Sequence, residues 1–294
     1  MGVAPPTRCG KVSRLVMPNS PLYRTIAVAS TFSPRFVQVL SEAKRIRDRF
    51  SSDLQLIYVG ESSEETTSKF GEVLQQLDLP GETTIHYEQG DPADTILRAL
   101  RKHNIDMIVA GALEKEVVFH PFLGNVARRL VREASCSVML FTHPDTEPKP
   151  LRRIVFVADE SYSDHARASL QKAFRLAAAE SSERLYVIRV LTTFDEARAS
   201  RQSEESGDDE KAKRHDEDEA ALENFVLSAG ATEVPIETRC IRGNTGFAAA
   251  DFVQSIEADL LAVAVATPEG GAHSLPPNIA WLTDVIPCNL WVIR

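Results

Sequence analysis

The sequence predicts an α/β protein of two tandem, doubly wound domains, each with a five-stranded parallel sheet and helices on both faces. Short apolar, β-branched segments alternate with segments of helical periodicity, which is typical of βαβ units. The stretch around Asp106 recurs around Asp259, 153 residues later, and Cys136 recurs as Cys288, 152 residues later. A repeat at this spacing indicates two copies of one domain, and 294 residues suit two domains of ordinary size.

The first copy is expected at residues 23–142. Its apolar β-branched segments predict strands at 25–29, 54–59, 83–87, 107–110 and 137–141. Apolar residues at helical spacing predict helices beginning near 36, then at 69–77, 93–103 and 125–133. Parallel strands joined by right-handed helical crossovers give a Rossmann-like domain.

The second copy is expected at residues 151–294, after a stiff, Pro-rich linker at 143–150 and with a tail at 1–22 before both copies. Its matching strands are predicted at 153–158, 185–190, 236–240, 260–265 and 289–293. The offset between the copies grows along the chain, so the second copy contains an insertion, at 192–219. The tail shows no hydrophobic region of a signal peptide.

The insertion at 192–219 is strongly charged, with eleven acidic and five basic side chains. Such a composition buries too little apolar surface to order itself. We expect a solvated, mobile loop that runs into a charged helix. The alternative is an acidic loop that docks a regulatory partner.

Composition argues against several classes of partner. The formal net charge of -9 disfavours nucleic-acid binding, which requires a basic face. No apolar run approaches the roughly 18 residues of a membrane-spanning helix, so we expect no membrane association and a cytoplasmic protein. The four cysteines form no Cys-x-x-Cys pair, and we expect buried or inert thiols and no metal site.

An anion site is predicted where the fourth strand of the first copy ends. Ligands of open parallel sheets bind beyond the carboxyl ends of the strands. The strand ends at Gly111, and a helix begins near Asn125, so its free N–H groups and dipole favour an anion. Gly111 and Gly124 allow the backbone to approach a phosphate closely.

The pattern Gly111-x2-Glu114-x9-Gly124-Asn125 resembles the Gly-x2-Gly-x9-Gly-Ser/Thr nucleotide loop of the universal stress proteins. The resemblance covers residues 23–294 and matches the tandem, two-domain form of that family. It implies roles in stress resistance, binding of ATP or AMP, and dimers built on the fifth strands. In a tandem chain those strands, Ser137–Phe141 and Asn289–Ile293, can pair internally, as an alternative to a homodimer.

The site departs from the family pattern in both copies. In the first, Thr31 replaces an acidic residue at the end of strand one, and Glu114 places a carboxylate where phosphate would lie. Nearby Lys115, Arg128 and Arg129 are candidates to compensate, and Asn125 to cap the helix. In the second, Asp159 keeps the acid, but Ala264 replaces the first glycine and Pro276-Pro277-Asn278 the last glycine and its neighbour. The degenerate nucleotide-binding set is therefore Thr31, Val59, Gly111, Glu114, Gly124, Asn125, Arg128 and Asp159.

These observations lead to a non-catalytic regulatory and protective binding module that acts on an unidentified protein partner. No spacing typical of a nucleophile elbow, a Walker loop or a paired-carboxylate site occurs, so no catalytic residue is assigned. The first alternative is a sensor that binds ATP or AMP in the first domain. The second alternative is a slow ATPase or an adenylyl-transfer enzyme.

Overall fold

Ten strands build the chain, as seen in a computed structural model that describes residues 21–30, 32–112, 123–158, 161–192, 208–266, 275, 277–283 and 286–294. The strands are β1 Thr25–Ser30, β2 Asp53–Val59, β3 Thr84–Glu88, β4 Met107–Gly111, β5 Ser137–Phe141, β6 Arg153–Val157, β7 Arg184–Leu191, β8 Ile236–Arg242, β9 Leu260–Ala264 and β10 Asn289–Ile293. The α-helices are α1 Phe36–Phe50, α2 Glu64–Gln76, α3 Pro92–Lys102, α4 Asn125–Glu133, α5 Asp164–Glu180, α6 Asp208–Ser228 and α7 Thr245–Ser255, with a 3-10 helix at Pro277–Thr283.

All ten strands join one continuous sheet, in the order β3-β2-β1-β4-β5-β10-β9-β6-β7-β8. Every neighbouring pair is parallel except β5 and β10, which are antiparallel and pair Leu140 with Leu290 and Met139 with Trp291. We call this β5–β10 junction the seam; β1–β5 and β6–β10 lie in the first and second halves. The predicted fold class and the predicted pairing of the fifth strands are both confirmed.

The two faces of the sheet bury separate apolar cores. Successive side chains of a strand point to opposite faces, so Trp291 and Ile293 join one core while Leu290 and Val292 join the other. Helices α1, α2, α5 and α6 cover the first core, and α3, α4, α7 and the 3-10 helix cover the second. No helix in the described part of the chain is long and apolar enough to span a membrane.

A buried ion cluster links the two halves on the α1–α5 face. The side chain of Glu180, which has no exposed surface, accepts hydrogen bonds from Arg45 at 2.6 Å and Arg49 at 3.0 Å. It also accepts the backbone N–H of Leu151 at 2.9 Å. Because α1 belongs to the first half and α5 to the second, this carboxylate ties them together.

Helix α2 begins earlier than the prediction of residue 69, because its start is set by a capping box rather than by apolar spacing. The Ser63 hydroxyl accepts the Thr66 N–H at 3.1 Å, and the Thr66 hydroxyl accepts the Ser63 N–H at 2.9 Å. These bonds satisfy two otherwise unpaired groups and fix the first turn. The helix ends at Gln76, just before Asp78, which adopts a positive φ of 51°.

The second half differs from the first where α4 would be expected. A 3-10 helix, Pro277–Thr283, takes that place. Pro277, the first residue of this element, supplies no backbone N–H, which removes one donor from its start. In the insertion, residues 208–219 form the first part of α6, as the predicted charged helix requires. The loop expected at 193–207 and the tail up to residue 20 lie outside the described residues.

Candidate functional site

A cavity of about 600 Å³ lies at the carboxyl ends of β1 and β4 in the first half. We call it the strand-end cavity. The starts of α1, α3 and α4 and the end of β5 complete its walls. Its described lining residues are Ala29, Ser33, Pro34, Arg35, Phe36, Val39, Pro92, Ile96, Ala110, Gly111, Ala112, Gly124, Asn125, Val126, Ala127, Phe141 and Pro144. The cavity is therefore mostly apolar; its polar features are the side chains of Ser33, Arg35 and Asn125 and the backbone groups at the helix starts.

The start of α4 is held at the cavity by backbone hydrogen bonds. Gly124, the N-cap, donates its N–H to the carbonyl of Ala112 at 3.0 Å, and Ala112 donates to Phe141 at 2.9 Å. No side chain among the described residues caps the helix. The first-turn N–H groups of Asn125, Val126 and Ala127, all cavity-lining residues, thus remain available to an anion.

The missing cap distinguishes the helices of this cavity from the others. Helices α2, α3, α5 and α7 are capped by the side chains of Ser63, Asp91, Ser163 and Asn244. Among the helices with a described N-cap, only α1 and α4 have no side-chain cap, and both begin at the strand-end cavity. Two helix starts with partial positive charge therefore face the same space.

Backbone conformation does not account for the two glycines of the cavity. Gly124 has φ of -60° and ψ of 155°, a conformation open to any residue. A Cβ added at Gly111 would meet only Val39 Cγ2, at an ordinary 3.4 Å. A side chain at either position would instead take up room at the cavity, so these glycines leave space for a ligand.

The structure brings together three of the predicted site residues, Gly111, Gly124 and Asn125. Asn125 is the first residue of α4 rather than its N-cap, so the expected capping role of Asn125 is wrong. Val59 ends β2 and packs partly buried against the core, outside the described cavity lining. Arg128 is half-buried in the first turn of α4 and is likewise not part of that lining.

Three other predicted site residues, Thr31, Glu114 and Asp159, lie outside the described residues, as does Lys115. Arg129, which was expected to compensate for Glu114, pairs with two other carboxylates. Its guanidinium lies 2.7 Å from the carboxylate of Asp94 on α3 and 2.8 Å from that of Glu133, one turn further along α4. Its charge is therefore already balanced within the α3–α4 contact.

Sequence reasoning missed the wall contributed by α1 and the residues before it. Phe36 and Val39 were expected only on the core face of that helix, yet both also line the cavity. Ser33 and Arg35 precede the helix and line it too. The available signal was position, because the turn after strand one of a doubly wound sheet lies at the ligand-binding edge.

The described thiols have no nucleophilic character. Burial raises the pKa of Cys136 and of Cys288 to about 12 in each case. Burial and the nearby Asp218 carboxylate raise the pKa of Cys240 to about 11. All three therefore stay protonated near neutral pH. The protonated thiol is not the reactive form, because only the thiolate is the nucleophile. The described residues contain no cluster of His, Cys, Asp and Glu suited to a metal ion.

The matching region of the second half is packed differently. Trp281 stands where the repeat spacing places Arg128, 153 residues earlier. Its ring lies against the start of α7, so a Cβ added at Gly246 would come within 2.9 Å of Trp281 Cγ. An aromatic side chain and a tight glycine contact thus replace the Arg-rich α4 start of the first half.

The fold and this site define a class: a doubly wound α/β protein of two related halves, with a cavity at the strand ends of the first. The profile of the universal stress protein family matches residues 72–142 and 150–273, which is more than half of the chain. The chain therefore belongs to the universal stress protein family, a family of stress-response proteins, in its tandem form.

Known relatives agree with this assignment. A universal stress protein of Methanocaldococcus jannaschii is 27% identical over 146 residues, covering 43% of this chain and 86% of the relative. Two solved structures resemble nearly the whole chain. A functionally unknown protein of Pseudomonas aeruginosa has a TM-score of 0.68 at 16% identity and covers 92% of each chain. A universal stress protein of Archaeoglobus fulgidus has a TM-score of 0.64 at 15% identity and covers 92% of this chain and 98% of its own. At these identities the structures show the shared fold alone.

Proposed function

We propose that this universal stress protein is a non-catalytic regulatory and protective binding module. One observation carries the proposal: the strand-end cavity combines helix starts that lack a described side-chain cap with described walls that offer no catalytic group. Among its described lining residues there is no His, Cys, Lys or carboxylate. Ser33 supplies a hydroxyl, but none of the described lining residues could act as its base. Nucleophilic catalysis requires a base within hydrogen-bond reach. Such a site binds a ligand rather than transforming it.

A specific ligand class is favoured for this cavity, namely an adenine nucleotide such as ATP or AMP. The volume of about 600 Å³ is suited to a molecule of that size. Apolar side chains such as Phe36, Val39 and Ile96 suit a base, and the uncapped starts of α1 and α4 suit phosphate. Occupancy would then alter how the module engages its regulatory protein partner.

Ligand release and thermal shift test the nucleotide directly. The protein as purified is denatured, and the released small molecules are identified by mass spectrometry. In parallel, its melting temperature is followed with ATP or AMP up to millimolar concentration, with and without magnesium. Bound nucleotide or a concentration-dependent rise supports the sensor. If the released fraction contains neither nucleotide and the melting temperature does not rise with either, the sensor is excluded and the nucleotide-independent module remains.

A substitution at the α4 cap localises the site. Gly124→Asp places a carboxylate at the helix start, where it competes with phosphate for the same N–H groups and repels it. We expect nucleotide affinity to fall at least about tenfold, a change of roughly 1.4 kcal/mol. Gly124→Asn is the matched neutral control, with a side chain of almost the same size, and Asn278→Asp is the second-half control.

The same variants test the enzymatic alternative. Release of phosphate or adenylate transfer is measured for the wild type, Gly124→Asp and Asn278→Asp. Turnover that Gly124→Asp abolishes and Asn278→Asp spares would establish an ATPase or adenylyl-transfer activity in the first half. A background rate that is equal in all three proteins supports the non-catalytic module.

A further inference from the structure

Strand β8 forms one edge of the ten-stranded sheet, with β7 as its neighbour on the inner side. The carbonyl of Pro235 accepts the Leu185 N–H at 2.9 Å, and the Gly243 N–H donates to the carbonyl of Leu191 at 3.0 Å. Because backbone groups alternate between the two sides of a strand, the residues of β8 at odd positions bond to β7. The backbone N–H and C=O groups at even positions therefore point outward from the edge, and these include Ile236, Thr238 and Cys240.

The outward groups of these three residues have no hydrogen-bond partner within the described part of the chain. A row of unpaired N–H and C=O groups is a template for another strand. The opposite edge, β3, offers a shorter template. The carbonyl of Glu88 accepts the Gly60 N–H, so Ile85 and Tyr87 are the two residues of β3 that point outward. Strand β8 is thus the better suited of the two edges to pair with a further strand.

Two exposed apolar side chains stand on the helices that flank β8. Helix α6 covers the face of β8 that carries Ile236 and Cys240, and α7 covers the face that carries Ile241. Leu227, near the end of α6, is 73% exposed, and Phe247, in the first turn of α7, is 76% exposed. Interfaces are enriched in such aromatic side chains, so both flanks of this edge favour a contact. We call β8 together with Leu227 and Phe247 the edge surface.

The side chains of β8 are complementary to a second, antiparallel copy of the same strand. When Thr238 lies opposite Thr238 of the second copy, Glu237 lies opposite Arg239 on the α7 face. On the α6 face, Ile236 then lies opposite Cys240. Opposite charges and apolar side chains are both favourable cross-strand pairs. The outward backbone groups of one copy also meet those of the other in this register.

The two neighbouring registers lack this complementarity. A pair centred on Glu237 would place two carboxylates directly opposite each other. A pair centred on Arg239 would do the same with two guanidinium groups. Like charges at directly opposite positions destabilise strand pairing. The register centred on Thr238 is therefore preferred over both.

A second copy also improves the charge balance of the edge surface. Glu237 pairs with Arg184 and Arg239 of its own chain, at 2.6 Å each. Two cations therefore share this carboxylate. The Arg239 side chain is 59% exposed, so it is accessible to Glu237 of a second copy. Each Arg239 then has a carboxylate on its own strand and another on the facing strand.

We propose that two copies of this chain associate through the edge surface, with their β8 strands in one antiparallel pair centred on Thr238. The contact is two-fold symmetric, because the same surface of each copy pairs with itself. The fifth strands are not available for this purpose, since β5 and β10 already pair within each chain. The nucleotide proposed for the strand-end cavity takes no part in the contact.

Analytical ultracentrifugation of the full chain tests the association. We expect the mean mass to rise toward that of two chains as the protein concentration reaches about 100 μM, since interfaces of modest size bind weakly. Arg239→Glu places a carboxylate opposite each Glu237 and should raise the dissociation constant at least about tenfold. The double variant Glu237→Arg, Arg239→Glu restores opposite charges and should return it to within about threefold of the wild type. Arg101→Glu, the same charge change at an exposed residue of α3, is the matched control and should have no effect.

A cross-link tests the register independently of these charges. In the proposed pair the two Thr238 Cα atoms lie about 5.5 Å apart, a separation that a disulfide can span. Thr238→Cys in a Cys9→Ser background, oxidised with diamide, should therefore give a covalent dimer that a reductant reverses. Glu233→Cys, at an exposed residue just before β8, is the control and should remain a single chain.

Several results would overturn the proposal. One is a wild-type protein that stays monomeric at about 100 μM. Another is a dimer whose dissociation constant is the same in Arg239→Glu as in the wild type, which would assign the contact to a different surface. A third is a Thr238→Cys chain that cross-links no more than Glu233→Cys. If Arg239→Glu does not fold, the cross-link decides the question.

Discussion

The side chain of Asn289 accepts the backbone N–H of Thr142 at 2.9 Å, which closes one end of the seam. At the other end, Ser137 Oγ accepts the backbone N–H of Arg294 at the same distance of 2.9 Å. The two contacts are related by the repeat, since Asn289 follows Ser137, and Arg294 follows Thr142, by 152 residues. Each fifth strand thus begins with a polar side chain that accepts the backbone N–H of the residue just after the other fifth strand.

The first prediction concerns this contact. Asn289→Ala should lower the free energy of unfolding by about 1–3 kcal/mol, because the buried Thr142 N–H loses its partner. Urea denaturation followed by circular dichroism measures the change. Asn289→Asp is the control, because it keeps an acceptor oxygen and should cost less. An unchanged midpoint for Asn289→Ala would show that water replaces the contact.

The second prediction concerns the ion cluster between α1 and α5. Glu180→Ala should lower the free energy of unfolding by about 3–5 kcal/mol, because it leaves Arg49 without its counterion, Arg45 with Glu42 alone and the buried Leu151 N–H without its acceptor. Glu183→Ala is the control. The Glu183 side chain is 51% exposed and pairs with Arg152 at the surface, so its removal should cost no more than about 1 kcal/mol. Equal effects of the two substitutions would contradict the assigned role of Glu180.

The third prediction separates two helical glycines by their surroundings. Gly71→Ala should raise the free energy of unfolding by about 0.5–1 kcal/mol, because a Cβ there meets nothing within 4 Å and alanine favours a helix. Gly246→Ala should lower it by about 1–2 kcal/mol, since the new Cβ would lie 2.9 Å from Trp281 Cγ. Thermal denaturation of both variants gives the signs. A gain for Gly246→Ala would show that Trp281 moves aside freely.

The fourth prediction concerns pH. His86 stacks on His103 with ring centroids 3.6 Å apart and shares a hydrogen bond of 2.7 Å with Gln55. Burial first, then the neighbouring His103, lowers the pKa of His86 below its usual 6.5, with Lys102 acting in the same direction and Glu88 against it. The unfolded chain then binds more protons just below pH 6.5. Stability should therefore fall as the pH drops below 6.5, and His86 should contribute no pH dependence above it.

Two variants test the assignment of this pH dependence. His86→Gln should flatten the fall in stability below pH 6.5, because the titrating group is removed. His143→Gln, at an exposed position, should leave the fall unchanged. Urea midpoints at several pH values give the slope. A slope that stays the same in His86→Gln would assign it to other groups.

Most of the architecture could be predicted from the sequence, because buried parallel strands are apolar along their whole length. The segment at 137–141 matched β5, and the repeat spacing then identified its partner β10. The start of α2 could not be found from apolar spacing, because Ser63 and Thr66 fix it by hydrogen bonding. The domain boundaries at 142 and 151 stay predictions.

The site was harder to predict than the fold, because its position depends on topology and its detail on local geometry. Gly111 and Gly124 were identified by spacing and do line the strand-end cavity. The ion pair between Arg129 and Asp94 was not predicted, because these residues are distant in sequence and meet only through α3–α4 packing. The absent cap of α1 likewise appears only in three dimensions.

The antiparallel seam has an evolutionary consequence. The strands β1–β5 and β6–β10 have their carboxyl ends on opposite sides of one sheet, and both sets of strands belong to one chain. In a symmetric pair of identical chains, every substitution appears at both edges at once. Here Pro277 can replace a loop glycine at one edge while Gly124 persists at the other. The covalent fusion thus lets natural selection act on each edge separately while the shared sheet keeps both folded.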